Sequence, residues 1–323
     1  MLKVNSISFA YSKKPILQDV SFSLKPGEHV SIIGESGSGK TTLLKLIYGE
    51  YDLDKGEIHW KDTEILGPKF NLVVGYDFIK YVSQEFDLMP YTTVEENIGK
   101  YLSNFYPKEK KARVVELLEV VELLEFAKKK VKLLSGGQKQ RVALARAIAK
   151  QPELILLDEP FSHIDNFKKQ SLRRNLFSYL KQNNIACLVA THDKNDVLPC
   201  SDKMIVLDQA KIAANDFTKA IYKHPKTPLI ASFFGEFNQF KISDITGLND
   251  DSTIIVYANE VKLVEQSSYR FVVTHCYFQG ANYLVTGQFK NQTIFAESPI
   301  SLKTNSNAYF EIDSALIKQR RQN

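Results

Sequence analysis

His29-Val30-Ser31-Ile32-Ile33-Gly34-Glu35-Ser36-Gly37-Ser38-Gly39-Lys40-Thr41 is a β-rich apolar run that stops at a glycine-rich loop ending in Lys-Thr. Leu43, Leu44 and Ile47 then recur at helical spacing as far as Tyr48. Strand, glycine loop and helix in that order make a phosphate-binding loop over Gly34 to Thr41. Glycines let backbone amides turn inward around phosphates, and the helix N-terminus adds a favourable dipole. Lys40 neutralises charge, and the Thr41 hydroxyl is placed to hold Mg2+. Alone, this loop leaves kinases, GTPases and motor ATPases open.

Two further apolar runs of strand length, Leu154-Ile155-Leu156-Leu157 and Ala186-Cys187-Leu188-Val189-Ala190, each end in polar residues. Strands buried on both faces of a parallel sheet have this texture. The first delivers Asp158 and Glu159, a pair suited to holding Mg2+ through its water shell and to polarising an attacking water. The second delivers His192 within Ala190-Thr191-His192-Asp193, within reach of a γ-phosphate. Between the loop and these strands, Val94 to Leu124 interleaves charges with Val114, Leu117, Leu118 and Val121, which predicts amphipathic helices, one of them opened by Pro107. Leu134-Ser135-Gly136-Gly137-Gln138 adds a second glycine-rich helix start with Ser135 as its cap and no lysine of its own. An anion delivered from elsewhere, by a second copy of the chain, suits such a site.

With 323 residues and 44% hydrophobic content, the chain is long enough for two folded domains. A net charge of +5 neither demands nor excludes an acidic partner, and Lys129, Lys130 and Lys132 suit a solvated helix end better than a nucleic-acid patch. Three widely spaced cysteines form no disulfide framework or metal set, which suits a cytosolic chain. No apolar run approaches the length that crosses a bilayer, and Met1 to Ser6 lacks the core of a signal peptide. Work at a membrane would pass through other subunits.

The order and spacing of the phosphate loop, Leu134 to Gln138, Asp158-Glu159 and His192 resemble the ATP-binding cassette (ABC) ATPases over roughly residues 1 to 235. That resemblance implies an α/β fold: a P-loop NTPase core with a helical subdomain at about residues 90–150. Its cofactors would be ATP and Mg2+. It further implies Glu159, His192 and Lys40 as catalytic residues, and Thr41, Gln84 and Asp158 around the metal. Nucleotide contacts would come from Tyr11, stacking on adenine, from Gly34, Glu35, Ser36, Gly37, Ser38, Gly39, Lys40, Thr41 and Thr42, from Gln84, and from Ser135, Gly137 and Gln138 of an opposing copy. In isolation a core or surface tyrosine would look like Tyr11, and an exposed loop amide like Gln84. Ser162-His163-Ile164-Asp165 matches the loop that crosses the dimer interface, but departs from the usual small or amide residue at 163 and leucine at 164. Gly67 to Ile79 is irregular for the family.

After Asp208, a helix-like piece, Phe217 to Tyr222, leads to a proline-marked linker at His224 to Pro228. Short strand-like runs follow at Thr253 to Val256, Arg270 to Phe278, Asn282 to Phe289 and Thr293 to Ala296. Residues 236–323 are expected to form a small all-β domain resembling the OB-like TOBE domain of import ATPases, with Tyr257-Ala258-Asn259-Glu260 where Arg-Pro-Glu is usual. The expectation is the ATPase subunit of an importer: a homodimer on the cytoplasmic face of the membrane, working through integral permease subunits and, indirectly, a solute-binding protein, without nucleic acid. Polyamine or ferric iron would be the cargo. An exporter or lipoprotein-release ATPase, or a soluble cassette protein acting on nucleic acid or ribosomes, are the alternatives.

Overall fold

The structure is a computed structural model and describes residues 1–321. It divides into two compact units, Met1–Thr218 and Lys219–Asn323. The sequence placed that division at residue 235. Helix α8 (Pro228–Phe234, below) belongs instead to the second unit, where Phe234 meets Tyr257 edge-on at 6.4 Å.

In chain order the first unit comprises β1 (Leu2–Phe9), β2 (Leu17–Leu24), β3 (His29–Ile33), α1 (Lys40–Tyr48), β4 (Lys55–Trp60), β5 (Thr63–Glu64), β6 (Ile79–Val82), α2 (Val94–Ile98), α3 (Pro107–Val120), α4 (Gly136–Ile148), β7 (Leu154–Asp158), α5 (Asn166–Gln182), β8 (Ala186–Ala190), α6 (Lys194–Val197), β9 (Lys203–Asp208) and β10 (Lys211–Phe217). Six strands form one sheet in the order β10-β9-β3-β8-β7-β6, parallel except for β10. A second, antiparallel sheet runs β2-β1-β4-β5.

Side-chain alternation explains the continuous apolar runs. Leu154, Leu156 and Leu188 face a core shared with α1 and the antiparallel sheet, whereas Ile155, Leu157 and Val189 face the core of α2, α3 and α4. Both faces of β7 and β8 are therefore covered, and every residue of both strands is buried. Pro107 is the first residue of α3, as the sequence predicts, and Thr93 with Glu96 closes a capping box on α2. The apolar stripe stops short of Leu124, which is half exposed beyond the end of α3. The lysine cluster is exposed, but it borders short 3-10 turns at Leu124–Phe126 and Val131–Leu133 rather than a helix end.

Register sets up the site. Ile32 on β3 pairs with Ala190 on β8, Ala190 pairs with Asp158 on β7, and Leu157 pairs with Val82 on β6. One to two residues beyond these positions, the carboxyl edge of the sheet releases Gly34, His192, Glu159 and Gln84 together. Ligands of open parallel sheets bind at such an edge.

The second unit begins within α7 (Thr218–Lys223) and continues with α8 (Pro228–Phe234), β11 (Phe237–Lys241), α9 (Ile242–Thr246), β12 (Thr253–Tyr257), β13 (Val261–Val264), β14 (Tyr269–Phe278), β15 (Tyr283–Phe289), β16 (Gln292–Ser298), β17 (Asn307–Ile312) and α10 (Ser314–Arg321). An antiparallel sheet in the order β13-β17-β14-β15-β16 and the pair β11-β12 enclose Phe240, Phe271, Phe289 and Phe310. Of the two prolines expected to mark a linker, Pro225 lies in the irregular stretch between α7 and α8, whereas Pro228 starts a helix behind its cap, Thr227, whose hydroxyl accepts from the Ile230 amide. Glu260, the acid of the unusual Tyr257–Glu260 stretch, takes Arg320 of α10 at 2.7 Å, and that guanidinium also donates to Ile255 O at 3.0 Å.

Candidate functional site

The phosphate loop turns from β3 into α1 through Gly39, whose φ of 98° lies in the left-handed region and whose Cβ position would come within 3.0 Å of Ile16 O. Only glycine meets both demands. Lys40 Nζ donates to Gly34 O at 2.8 Å and Glu35 O at 2.9 Å, so the ammonium is folded over the loop's own carbonyls. Burial lowers its proton affinity, while Glu159 and Asp158 pull it back up. Glu35, Ser36 and Gly37 are exposed at the loop's crest. Tyr11, just past β1, is 57% exposed; its hydroxyl lies 3.3 Å from Thr42 Oγ1, and its ring stands edge-on to Phe9 and Tyr51.

Two carboxylates end β7 in different surroundings. Asp158 is buried, and burial raises its proton affinity against hydrogen bonds from Thr41 and Tyr81, the latter 3.2 Å from Oδ2. Glu159 sits at φ 48° with its amide donating to Ala190 O at 2.9 Å, a conformation uncommon outside glycine and held by its neighbours. Its carbonyl accepts from Gln140 Nε2 and Ser162 Oγ, each at 3.0 Å. Burial pushes the Glu159 carboxyl above the usual range; His192, with Nδ1 2.8 Å from Oε1, draws it down. The histidine itself is 74% exposed.

The loop carrying His192 is braced from behind. Arg173 of α5 is paired with both Asp193 and Asp196, and Asp196 accepts from Thr191 Oγ1 at 2.6 Å. Burial works against the Asp193 charge, but hydrogen bonds from Asn195, Arg173 and Lys169 hold its carboxyl down to about 2.

Ser135 and Gln138 close a capping box on α4: the Gln138 amide donates to Ser135 Oγ at 3.3 Å, and the Ser135 amide donates to Gln138 Oε1 at 3.0 Å. Gly137 packs against the next loop, and a Cβ there would sit 2.6 Å from His163 O. The backbone of His163 is also held by Gln140, whose Oε1 accepts from His163 N at 3.1 Å. Within one chain, then, the fold gathers Lys40, Thr41, Asp158, Glu159 and His192. Among the described residues, no hydrogen bond or ion pair joins Ser135, Gly137 or Gln138 to the phosphate loop. Gln84 is exposed on the segment after β6.

Sequence reasoning missed Gln140, Tyr81 and Arg173. Gln140 carried a faint signal, since it falls one helical turn after Gly137 on the face that α4 buries. Tyr81 and Arg173 carried none, because their partners arrive from other strands and helices.

Residues 17–162 match the family model described as ABC transporter. The chain is 39% identical over 238 residues to an Fe(3+) ions import ATP-binding protein of Haemophilus influenzae, covering 73% of this chain and 67% of that one. It is 34% identical over 261 residues to a spermidine/putrescine import ATP-binding protein of the same species, covering 80% and 68%. With a sulfate/thiosulfate import ATP-binding protein of Vibrio cholerae the identity is 33% over 280 residues, covering 85% and 73%. A dimeric ATP-binding cassette solved in a post-hydrolysis state with ADP and Pi superposes with a TM-score of 0.59 at 30% identity, covering 68% of this chain and 99% of that one.

Proposed function

We propose, from the premise that the chain belongs to the ABC transporter family, that it is the ATP-hydrolysing subunit of an importer and works as a pair of identical copies. The observation that carries this reading is the carboxyl edge of the parallel sheet, where Glu159 is paired with His192 beside Asp158 and Lys40.

ATP lies with its adenine on the exposed ring of Tyr11 and its phosphates among the amides of residues 34–42. Lys40 leaves the carbonyls of Gly34 and Glu35 for the phosphate oxygens, an exchange of acceptors that keeps its charge compensated. Thr41 and Asp158, a hydroxyl hydrogen-bonded to a buried carboxylate, would with Gln84 supply the oxygen donors that Mg2+ takes. An Mg2+ ion held there would supply charge neutralisation on the phosphates. Glu159 accepts a proton from the attacking water, and ADP and phosphate are the products. His192 fixes the orientation of that carboxylate. Ser135, Gly137 and Gln138 reach the γ-phosphate held by the other copy, so that ATP closes the pair and hydrolysis reopens it. Closing and reopening move integral permease subunits on the cytoplasmic face of the membrane, and a solute-binding protein delivers cargo from outside. Polyamine or ferric iron is the proposed cargo, a reading supported by the substrates named for the relatives.

The test is the Glu159→Gln variant. ATP should convert it to a stable dimer on size-exclusion chromatography while phosphate release falls by about a thousandfold. Unimpaired turnover would remove Glu159 from the role of base.

A further inference from the structure

Tyr81 is the third residue of β6, and its register partner on β7 is Leu156, two residues before Asp158. The right-handed twist of neighbouring strands carries a long side chain diagonally across such a spacing. The hydroxyl duly reaches Asp158 and donates to Oδ2 at 3.2 Å. The ring is held by packing on Tyr48, with centroids 5.6 Å apart at 43°. Tyr48 is itself pinned, since the backbone of Gly75 lies so close to its ring that a Cβ there would stand 2.6 Å from the Tyr48 hydroxyl.

An aspartate carboxylate rotates broadly about its last torsion. Buried and at the end of a strand, Asp158 is given an orientation by what donates to it: Thr41 from the phosphate loop and Tyr81 from the neighbouring strand. These two donors differ in availability. In the proposed reaction the Thr41 hydroxyl would turn to the metal, whereas Tyr81 is assigned no contact with metal or nucleotide. Its hydroxyl is then the contact that stays on the carboxylate when the site loads. A neutral donor of this kind stabilises the anion without cancelling its charge.

We propose that Tyr81 is a positioning residue for the metal of this ATPase: its hydroxyl, held by the Tyr48–Gly75 packing, presents Asp158 in the orientation that takes Mg2+. The proposal rests on the reading of Asp158 as a metal-holding residue.

Mn2+ binding, read directly by electron paramagnetic resonance in the presence of a non-hydrolysable ATP analogue, tests it. Tyr81→Phe keeps the ring and its packing while deleting the donor. The variant should bind Mn2+ about tenfold more weakly. Its affinity for the analogue in EDTA and its thermal midpoint should match those of the parent. Asp158→Asn, measured alongside, should lose Mn2+ far more completely. Unchanged Mn2+ affinity in Tyr81→Phe, with loss in Asp158→Asn, overturns the role of Tyr81 and leaves the metal assignment standing. Unchanged affinity in Asp158→Asn overturns the metal assignment, and the proposal with it. A fall in thermal midpoint with unchanged Mn2+ affinity makes Tyr81 a packing residue and also overturns it.

Discussion

Nδ1 of His192 lies 2.8 Å from Oε1 of Glu159, and the two residues belong to adjacent strands of the parallel sheet extended by one and two positions. The acid is largely buried and the histidine open to solvent, so the pair spans the boundary between the protein interior and the solvent.

Removing the imidazole leaves the largely buried Glu159 without the group that draws its proton affinity down. His192→Ala should therefore reduce ATP hydrolysis by about a hundredfold or more, with binding of a fluorescent ATP analogue nearly unchanged. Full activity in His192→Ala would show that the contact orients nothing the reaction uses. Steady-state phosphate release with analogue titration gives the answer.

Gly137 joins the start of α4 to the loop at residues 162–164, both proposed to face the second copy, because its bare Cα admits the carbonyl of His163. Alanine would put a carbon 2.6 Å from that oxygen, and both partners are backbone-bound. The conflict is relieved by moving residues 162–164 off α4, at a cost of about 1–3 kcal/mol. Gly137→Ala should bind nucleotide like the parent, hydrolyse it poorly and fail to form the ATP-dependent dimer. Weakened binding to the isolated monomer would place Ser135 to Gln138 at the chain's own phosphate loop instead.

What the chain disclosed in advance was local. Gly34 to Thr41 and Leu154 to Glu159 carry strand, turn and chemistry within a few consecutive residues, so spacing alone located them. Tyr81, Gln140 and Arg173 act through partners 77, 19 and 23 positions away, and no periodicity encodes such meetings. The irregular stretch from Gly67 to Ile79 shows a second limit. Its shape comes from Tyr76, whose hydroxyl accepts from the Leu66 amide at 2.9 Å and from Asn71 Nδ2 at 2.8 Å. Phe70, Leu72 and Val73, apolar residues that composition would bury, are left largely exposed by that arrangement.

Arg173 neutralises two acids at once, and both Arg173 and Asp196 are almost fully buried. Arg173→Met keeps most of the volume but strands Asp196 in the interior. A loss of about 3–5 kcal/mol in urea unfolding is expected, far above that of a surface ion pair. Adding Asp196→Asn to Arg173→Met should recover part of it, because the uncompensated charge is gone. Equal loss in the single and double variants would mean that packing, not charge, accounts for the role of Arg173.

His29 is wholly buried on β3 against Phe177 and is expected to make the fold sensitive to acid. Burial, reinforced by the positive charge of Lys181, lowers its pKa from 6.5 to about 4. Between these values the unfolded chain binds a proton that the folded chain refuses. The neutral ring thus leaves stability intact above 6.5, and stability falls as pH descends from 6.5 toward 4. At about pH 5 the penalty comes to about 2 kcal/mol. His29→Leu removes the group from the proton balance. The difference in unfolding free energy between about pH 7.5 and about pH 5 should then shrink by about 2 kcal/mol relative to the parent. Urea titrations at the two pH values measure it directly. An identical pH dependence in the two proteins would mean that the imidazole takes up its proton inside the folded core, and that the acid sensitivity arises elsewhere.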